Sequence, residues 1–144
     1  VNVAMIRYYF GNKEGLFETM LRETLPPRKN KMEIKRHKPA GKMSKAVIHG
    51  NVAYLCGQTA TGKDITEQTE VMLKKVDDLL AEIGLDKTRV LSATIYLKTM
   101  DDFDAMNDVW NAWTVDGLQP ARACVRAEMC DENMLVEISV IAGL

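Results

Sequence analysis

From Ala46 to its end the chain switches between two hydrophobic periods, and that switching limits it to one kind of fold. Residues 46–49 and 52–57 are short β-rich runs joined by Gly50-Asn51, a pair suited to a hairpin turn. Asp64, with Glu67 three residues on, opens a helix whose apolar stripe is Met72, Val76, Leu79, Leu80 and Ile83, and Gly84 stops it. Residues 89–98 alternate, with Leu91, Ala93, Ile95 and Leu97 expected on the core face and Ser92, Thr94, Tyr96 and Lys98 on the other. A second helix starts at Asp101 or Asp102, turns Phe103, Met106, Trp110 and Trp113 inward, and stops at Gly117 ahead of Pro120. Two strands, 121–129 and 134–142, close the chain. On the former the polar residues Arg122, Cys124, Arg126 and Glu128 share a face; on the latter Glu137 and Ser139 point away from Val136, Ile138 and Val140.

This order predicts an α+β fold, a mixed sheet with both helices on one side. Two helices can cover only one face. The other mixes Tyr54, Cys56, Tyr96, Leu135 and Ile141 with a few charges, too apolar to leave wet and too polar for an ordinary core. An oligomer with its sheets facing inward satisfies both demands.

The inventory of reactive groups is short. Three cysteines, Cys56, Cys124 and Cys130, form no CxxC pair, and the only two histidines, His37 and His49, have no companion ligand at metal spacing, so neither a disulfide framework nor a metal site is expected. No GxGxxG or GxxxxGK[ST] occurs, which argues against dinucleotide or P-loop cofactors. Apolar residues at 47% and charged residues at 27% describe a globular chain, and no window approaches the roughly 18 apolar residues of a membrane span. The expectation is a soluble cytoplasmic protein without a cofactor or membrane partner.

Charge divides the chain. Residues 1–45 hold eleven Lys and Arg against four Asp and Glu, and residues 46–144 hold eight against sixteen. Pro26-Pro27 breaks a helical pattern, and residues 28–45, with eight basic residues and one acid, are expected to be a solvated linker. The predicted organisation is an N-terminal extension, 1–32, and a main domain, 33–144. Residues 1–25 read as helix, break, helix, and YYFGNKEGLFETMLRE resembles the end of the DNA-reading helix and the start of the next in TetR-type repressors. The helices that precede and follow it in that family have no counterpart in this sequence, so independent DNA binding is disfavoured.

The main domain carries a more specific likeness. The element order, CGQTA after the second strand, PARACV opening the penultimate strand and Leu135-Val136-Glu137-Ile138 in the last resemble the RidA/YjgF family of imine deaminases. The resemblance implies a homotrimer of chorismate-mutase-like subunits with ligand sites between neighbouring chains. It implies hydrolysis of 2-imino acids or their enamines to 2-oxo acids and ammonia, with a small carboxylate as partner and no cofactor. In that pattern Arg122 anchors the substrate carboxylate through its guanidinium fork and Glu137 orients water toward the iminium carbon. The competing readings are a structural salt bridge for Arg122 and an exposed strand residue for Glu137. Cys124 lines the site without acting as nucleophile, since no histidine is near in sequence to activate it. Cys56 and Gln58 lie where the second strand meets the pocket.

Two positions depart from the family. Cys56 replaces a serine, and Gly41-Lys42-Met43 stands where the best-known branch has glycine-proline-tyrosine, which removes a phenolic donor. These departures bear on substrate range and on turnover. A non-catalytic, small-acid binding or regulatory trimer is therefore the alternative reading. Ribonuclease activity, a label often attached to the family, is disfavoured by the acidic main domain and its lack of a basic groove with stacking aromatics.

Overall fold

In the computed structural model, which describes Met20 and residues 31–144, part of the basic run expected to be a linker is instead a pair of strands. β1 (Ile34–Ala40) and β2 (Met43–His49) run antiparallel in one register, from Ile34 opposite His49 to Ala40 opposite Met43. β1 shows no alternation for a physical reason: it is an edge strand, exposed along its length except for half-buried His37, and has no apolar face to display. Glycine sets its register. Gly41, with φ of +55°, takes the first place of a two-residue loop, and Gly50, with φ of +60°, does the same between β2 and β3 (Val52–Leu55). The chain divides into two units, Val1–Met32 and Glu33–Leu144. The helix-break-helix reading of residues 1–25 lies, apart from Met20, outside the described residues.

The predicted strand 52–57 is split. β4 (Gln58–Thr59) resumes pairing with β7 (Val136–Gly143) after a bulge at Cys56-Gly57, since Tyr54 faces Ile141 but Gln58 faces Ile138, one residue more on this strand than on its partner. α1 (Ile65–Glu82) follows. Asp64 caps it by accepting from the Glu67 amide at 2.9 Å, and Glu67 in turn accepts from the Lys63 amide at 2.7 Å. A Schellman motif ends it: the Gly84 and Leu85 amides donate to the Ala81 and Leu80 carbonyls, with Gly84 at φ +78°.

β5 (Val90–Leu97) lies between β7, antiparallel, and β6 (Ala121–Arg126), parallel; α2 (Phe103–Trp113) makes the crossover that a parallel pair needs. The sheet order is β1-β2-β3-β7-β5-β6, with β4 also on β7. Leu91 corrects the sequence reading. A register shift between Val90 and Ser92 turns Val90 into the core and leaves Leu91 52% exposed. α2 also stops earlier than Gly117, at Trp113; Gly117, with φ +79°, serves a turn closed by the Leu118 amide on the Val115 carbonyl. β6 ends at Arg126 rather than at 129, and β7 starts at Val136 rather than at 134.

Both helices cover one face of the sheet. Met72, Leu73, Val76 and Leu80 from α1 and Met106 and Trp110 from α2 pack on Ala93, Ile95, Leu97, Val136, Ile138, Val140 and Ala142. Each fully buried side chain of this size contributes roughly 1.5–3 kcal/mol. Gln68 is buried among them with every polar atom used. It donates to the carbonyls of Gly62 (3.1 Å) and Asn133 (2.8 Å) and accepts from the Leu135 amide (2.8 Å), tying the loop before β7 to α1. Cys56 and Leu135, expected on the open face, pack against this core instead, Cys56 because of the bulge. The open face carries Tyr54, Ser92, Thr94, Tyr96, Ser139 and Ile141, together with Ala121, Ala123 and Val125 from β6.

Candidate functional site

β6 inverts simple polarity. Its register sets Arg122 beside Ala93 and Cys124 beside Ile95, so these two polar residues share the helix-covered face while the strand's apolar residues lie on the open one. The cause is visible on α2. Arg122 Nη1 donates to Asn107 Oδ1 at 2.7 Å, and its guanidinium carbon lies 5.2 Å from the centre of the Trp110 ring. Asn107 and Trp110 are three residues apart and so project from one helix face. Trp110 is itself buttressed: its ring centre is 5.3 Å from that of Trp113, whose Nε1 donates to both carboxylate oxygens of Asp77 on α1, at 3.1 and 3.0 Å. Among the described residues no carboxylate comes within 4.0 Å of Arg122, so the salt-bridge reading is not met. The side chain is a half-buried cation with a neutral oxygen, an aromatic face and, among the described residues, no counter-ion.

Cys124 follows Arg122 on the same face. Burial pushes its thiol above the ordinary range, and Arg122 pulls it only part of the way back. A thiol so placed stays protonated at neutral pH, as befits a wall rather than a nucleophile.

The second group gathers at the bulge. Gln58 Nε2 donates to the Cys56 carbonyl at 3.3 Å and to Cys56 Sγ at 3.2 Å, so these two residues engage each other, while the Cys56 amide is spent on the Lys45 carbonyl at 2.9 Å. Glu137, opposite Thr59 and Tyr96, is half-buried on the open face. Its carboxylate fills the space that any side chain at position 57 would take: a Cβ there would stand 2.3 Å from Glu137 Oε1. Gly57 is glycine because Glu137 needs the room.

One chain does not bring all five residues to one cavity. Arg122 and Cys124 form one group on the helix-covered face; Glu137 lies on the open face beside Gly57, with Cys56 and Gln58 next along the bulge. Asn107 and Gly57 were not expected at the site, and Trp110 was expected in the core, where it lies, but not beside Arg122. The signal for Asn107 and Trp110 was their three-residue spacing on the helix before PARACV, and for Gly57 the glycine inside CGQTA. No group of three or more His, Cys, Asp or Glu side chains able to hold a metal occurs among the described residues, and none of their helices is long and apolar enough to cross a membrane.

The family model described as endoribonuclease L-PSP matches residues 33–144. The chain belongs to this family, the one that includes the YjgF and RutC proteins. A RutC family protein of Haemophilus influenzae is 38% identical over 114 residues, which span 77% of this chain and 98% of that protein. The RutC family protein YoaB of Escherichia coli is 37% identical over 114 residues, 78% of this chain and all of the relative. A crystal structure of a YjgF family member from Neisseria meningitidis superposes with a TM-score of 0.76 at 39% identity, over 79% of this chain and 97% of that one. The likeness in sequence and the mixed sheet with two helices thus agree. Residues 1–32, with the repressor-like stretch, lie outside the family match.

Proposed function

We propose that this family member hydrolyses 2-imino acids and their enamine tautomers to 2-oxo acids and ammonia, at sites built between copies of the chain in a homotrimer. The observation that carries the reading is Arg122: a half-buried guanidinium, oriented by Asn107 and Trp110, with no carboxylate within 4.0 Å among the described residues. Such a group calls for an anion, and two parallel N–H bonds to a carboxylate are its best match. The substrate's carboxylate takes that place. Glu137 accepts one proton from water as the water oxygen adds to the iminium carbon; that proton passes to the amine, and as the C–N bond breaks and ammonia leaves, the remaining hydroxyl proton goes to the Glu137 carboxylate and the carbonyl forms.

The placement of the two groups supports an inter-chain site, because Glu137 lies on the face opposite Arg122 and needs a neighbour's Arg122. The open face supports it too, with Tyr54 48% and Val125 44% exposed, apolar surface that a second copy would bury. A second reading, a trimer that binds small acids without turning them over, is favoured by one observation: at Cys56 the sulfur already accepts from Gln58 Nε2, and its remaining S–H is only a weak donor.

The test generates 2-iminopropanoate or 2-iminobutanoate with an amino-acid oxidase and follows semicarbazone trapping. The protein should suppress trapping and Arg122→Ala should not. If wild type leaves trapping unchanged across several imino acids but binds 2-oxobutanoate in calorimetry, the binding reading replaces this one. An RNA substrate cleaved in a salt-dependent way by wild type alone would instead favour the activity named in the family's description.

A further inference from the structure

We infer that the preferred substrates are imino acids with a second, side-chain carboxylate, held in a basic cavity beside the bulge. This inference rests on the hydrolytic reading above. Between the β1–β2 hairpin and α1 lies a cavity of about 560 Å³ whose wall includes Gly57, the residue against which the Glu137 carboxylate stands. Gly57 is thus shared between the cavity wall and the Glu137 carboxylate, the group proposed to orient the attacking water. Met43, Leu79 and Cys56 give it an apolar lining that suits methylene groups.

Its charges are unbalanced. Three lysines line it, Lys38, Lys45 and Lys75, against the carboxylates of Asp78 and Glu82. Asp78 is engaged from outside the cavity by Lys74. Glu82 is shared: its Oε2 lies 2.7 Å from His37 Nε2 and 3.0 Å from Lys38 Nζ. Lys75 donates to a neutral group, the Thr59 carbonyl, at 2.7 Å, and neither it nor Lys45 has a carboxylate within 4.0 Å among the described residues. Two ammonium groups with no carboxylate within 4.0 Å among the described residues thus line a cavity whose acids are already paired, Lys45 acting on Glu82 only at longer range, and a ligand carboxylate is the missing charge.

The backbone that closes the cavity is strained. Adjacent residues of a strand point to opposite faces, yet His37 and Lys38 both reach one oxygen of Glu82. Lys38 allows this with φ of +45°, the only described residue other than glycine with a positive φ. The contacts of His37 and Lys38 with Glu82 hold the hairpin against α1 and offset that strain, with Lys38 and Lys45 lining the cavity.

The experiment compares 2-iminosuccinate and 2-iminoglutarate, made in place by aspartate and glutamate oxidases, with 2-iminopropanoate. Wild type should favour the dicarboxylates at least about tenfold in kcat/KM. Lys45→Gln and Lys75→Gln should each shrink that ratio severalfold, chiefly through KM, and Lys45→Arg should restore part of it; both lysines are exposed, and an unchanged thermal midpoint verifies the fold. Hydrolysis of 2-iminopropanoate with no dicarboxylate preference, or a preference that neither substitution moves, overturns this inference and leaves the hydrolytic reading standing. Failure to hydrolyse any of the three imines overturns both.

Discussion

The two halves of the candidate site are held in opposite ways. Arg122 is positioned by side chains, through a line that runs from Asp77 on α1 to Trp113, Trp110 and the guanidinium, with Asn107 fixing one nitrogen. Glu137 is positioned by the absence of a side chain, in the space left at Gly57 where a bulge bends the strand beside it. The first half thus depends on how two helices pack, and the second on local backbone alone. Substitutions should separate them.

The largest effect is expected at Arg122. Arg122→Ala should lower kcat/KM for imine hydrolysis by about 100-fold or more, with KM rising, and Arg122→Lys should recover little because an ammonium cannot form the fork. Gly57→Ala comes next. Its new Cβ displaces the flexible end of Glu137, so kcat should fall roughly 10- to 100-fold with a much smaller change in KM and in stability. Asp77→Ala should act weakly and on the other half: it removes both acceptors from Trp113 Nε1, which should cost about 1–3 kcal/mol in denaturant-induced unfolding and raise KM severalfold while kcat changes less. Equal effects of Gly57→Ala and Asp77→Ala on KM and kcat would break the distinction between the halves.

The smallest effect on turnover of 2-iminopropanoate is expected at Glu82, which lines the cavity beside the bulge and pairs with His37 and Lys38. Hydrogen bonds from His37, and then Lys38, hold its carboxyl at about 2, down from an ordinary 4.5. A depressed carboxyl stabilises the fold above its unfolded value and loses that contribution as pH falls through the folded one. Glu82→Gln should therefore lower the urea midpoint at pH 7, and its gap from wild type should close between about pH 4.5 and 2. A gap that is constant with pH would show that the ion pairs do not fasten the hairpin.

What could be read in the sequence follows from which forces leave a periodic mark. β5 and β7 are buried on one face and half-open on the other, so alternation revealed them, and the caps of α1 were visible as Asp64, Glu67 and Gly84. β1 leaves no such mark. It is held by its ladder to β2 and by ion pairs to Glu82, interactions that charge alone disguises as a linker. Leu91 was misread because a bulge resets parity without changing composition. For the site, the spacing of Arg122 and Cys124 put them on one face, which the register of β6 agrees with, but the inward turn of that face depends on Asn107 and Trp110, residues 15 and 12 positions earlier. No local pattern carries that information.

The central claim is that Arg122 and Glu137 act on one substrate from different chains, and mixed assembly tests it most directly. Arg122→Ala and Glu137→Gln chains, each inactive alone, would be unfolded, mixed in equal amounts and refolded together. If neighbouring chains supply the two groups, mixed rings of three each regain one intact site, and imine hydrolysis should return to about a quarter of the wild-type rate. Mixed assemblies, verified by mass, that remain as inactive as their parents would contradict the account.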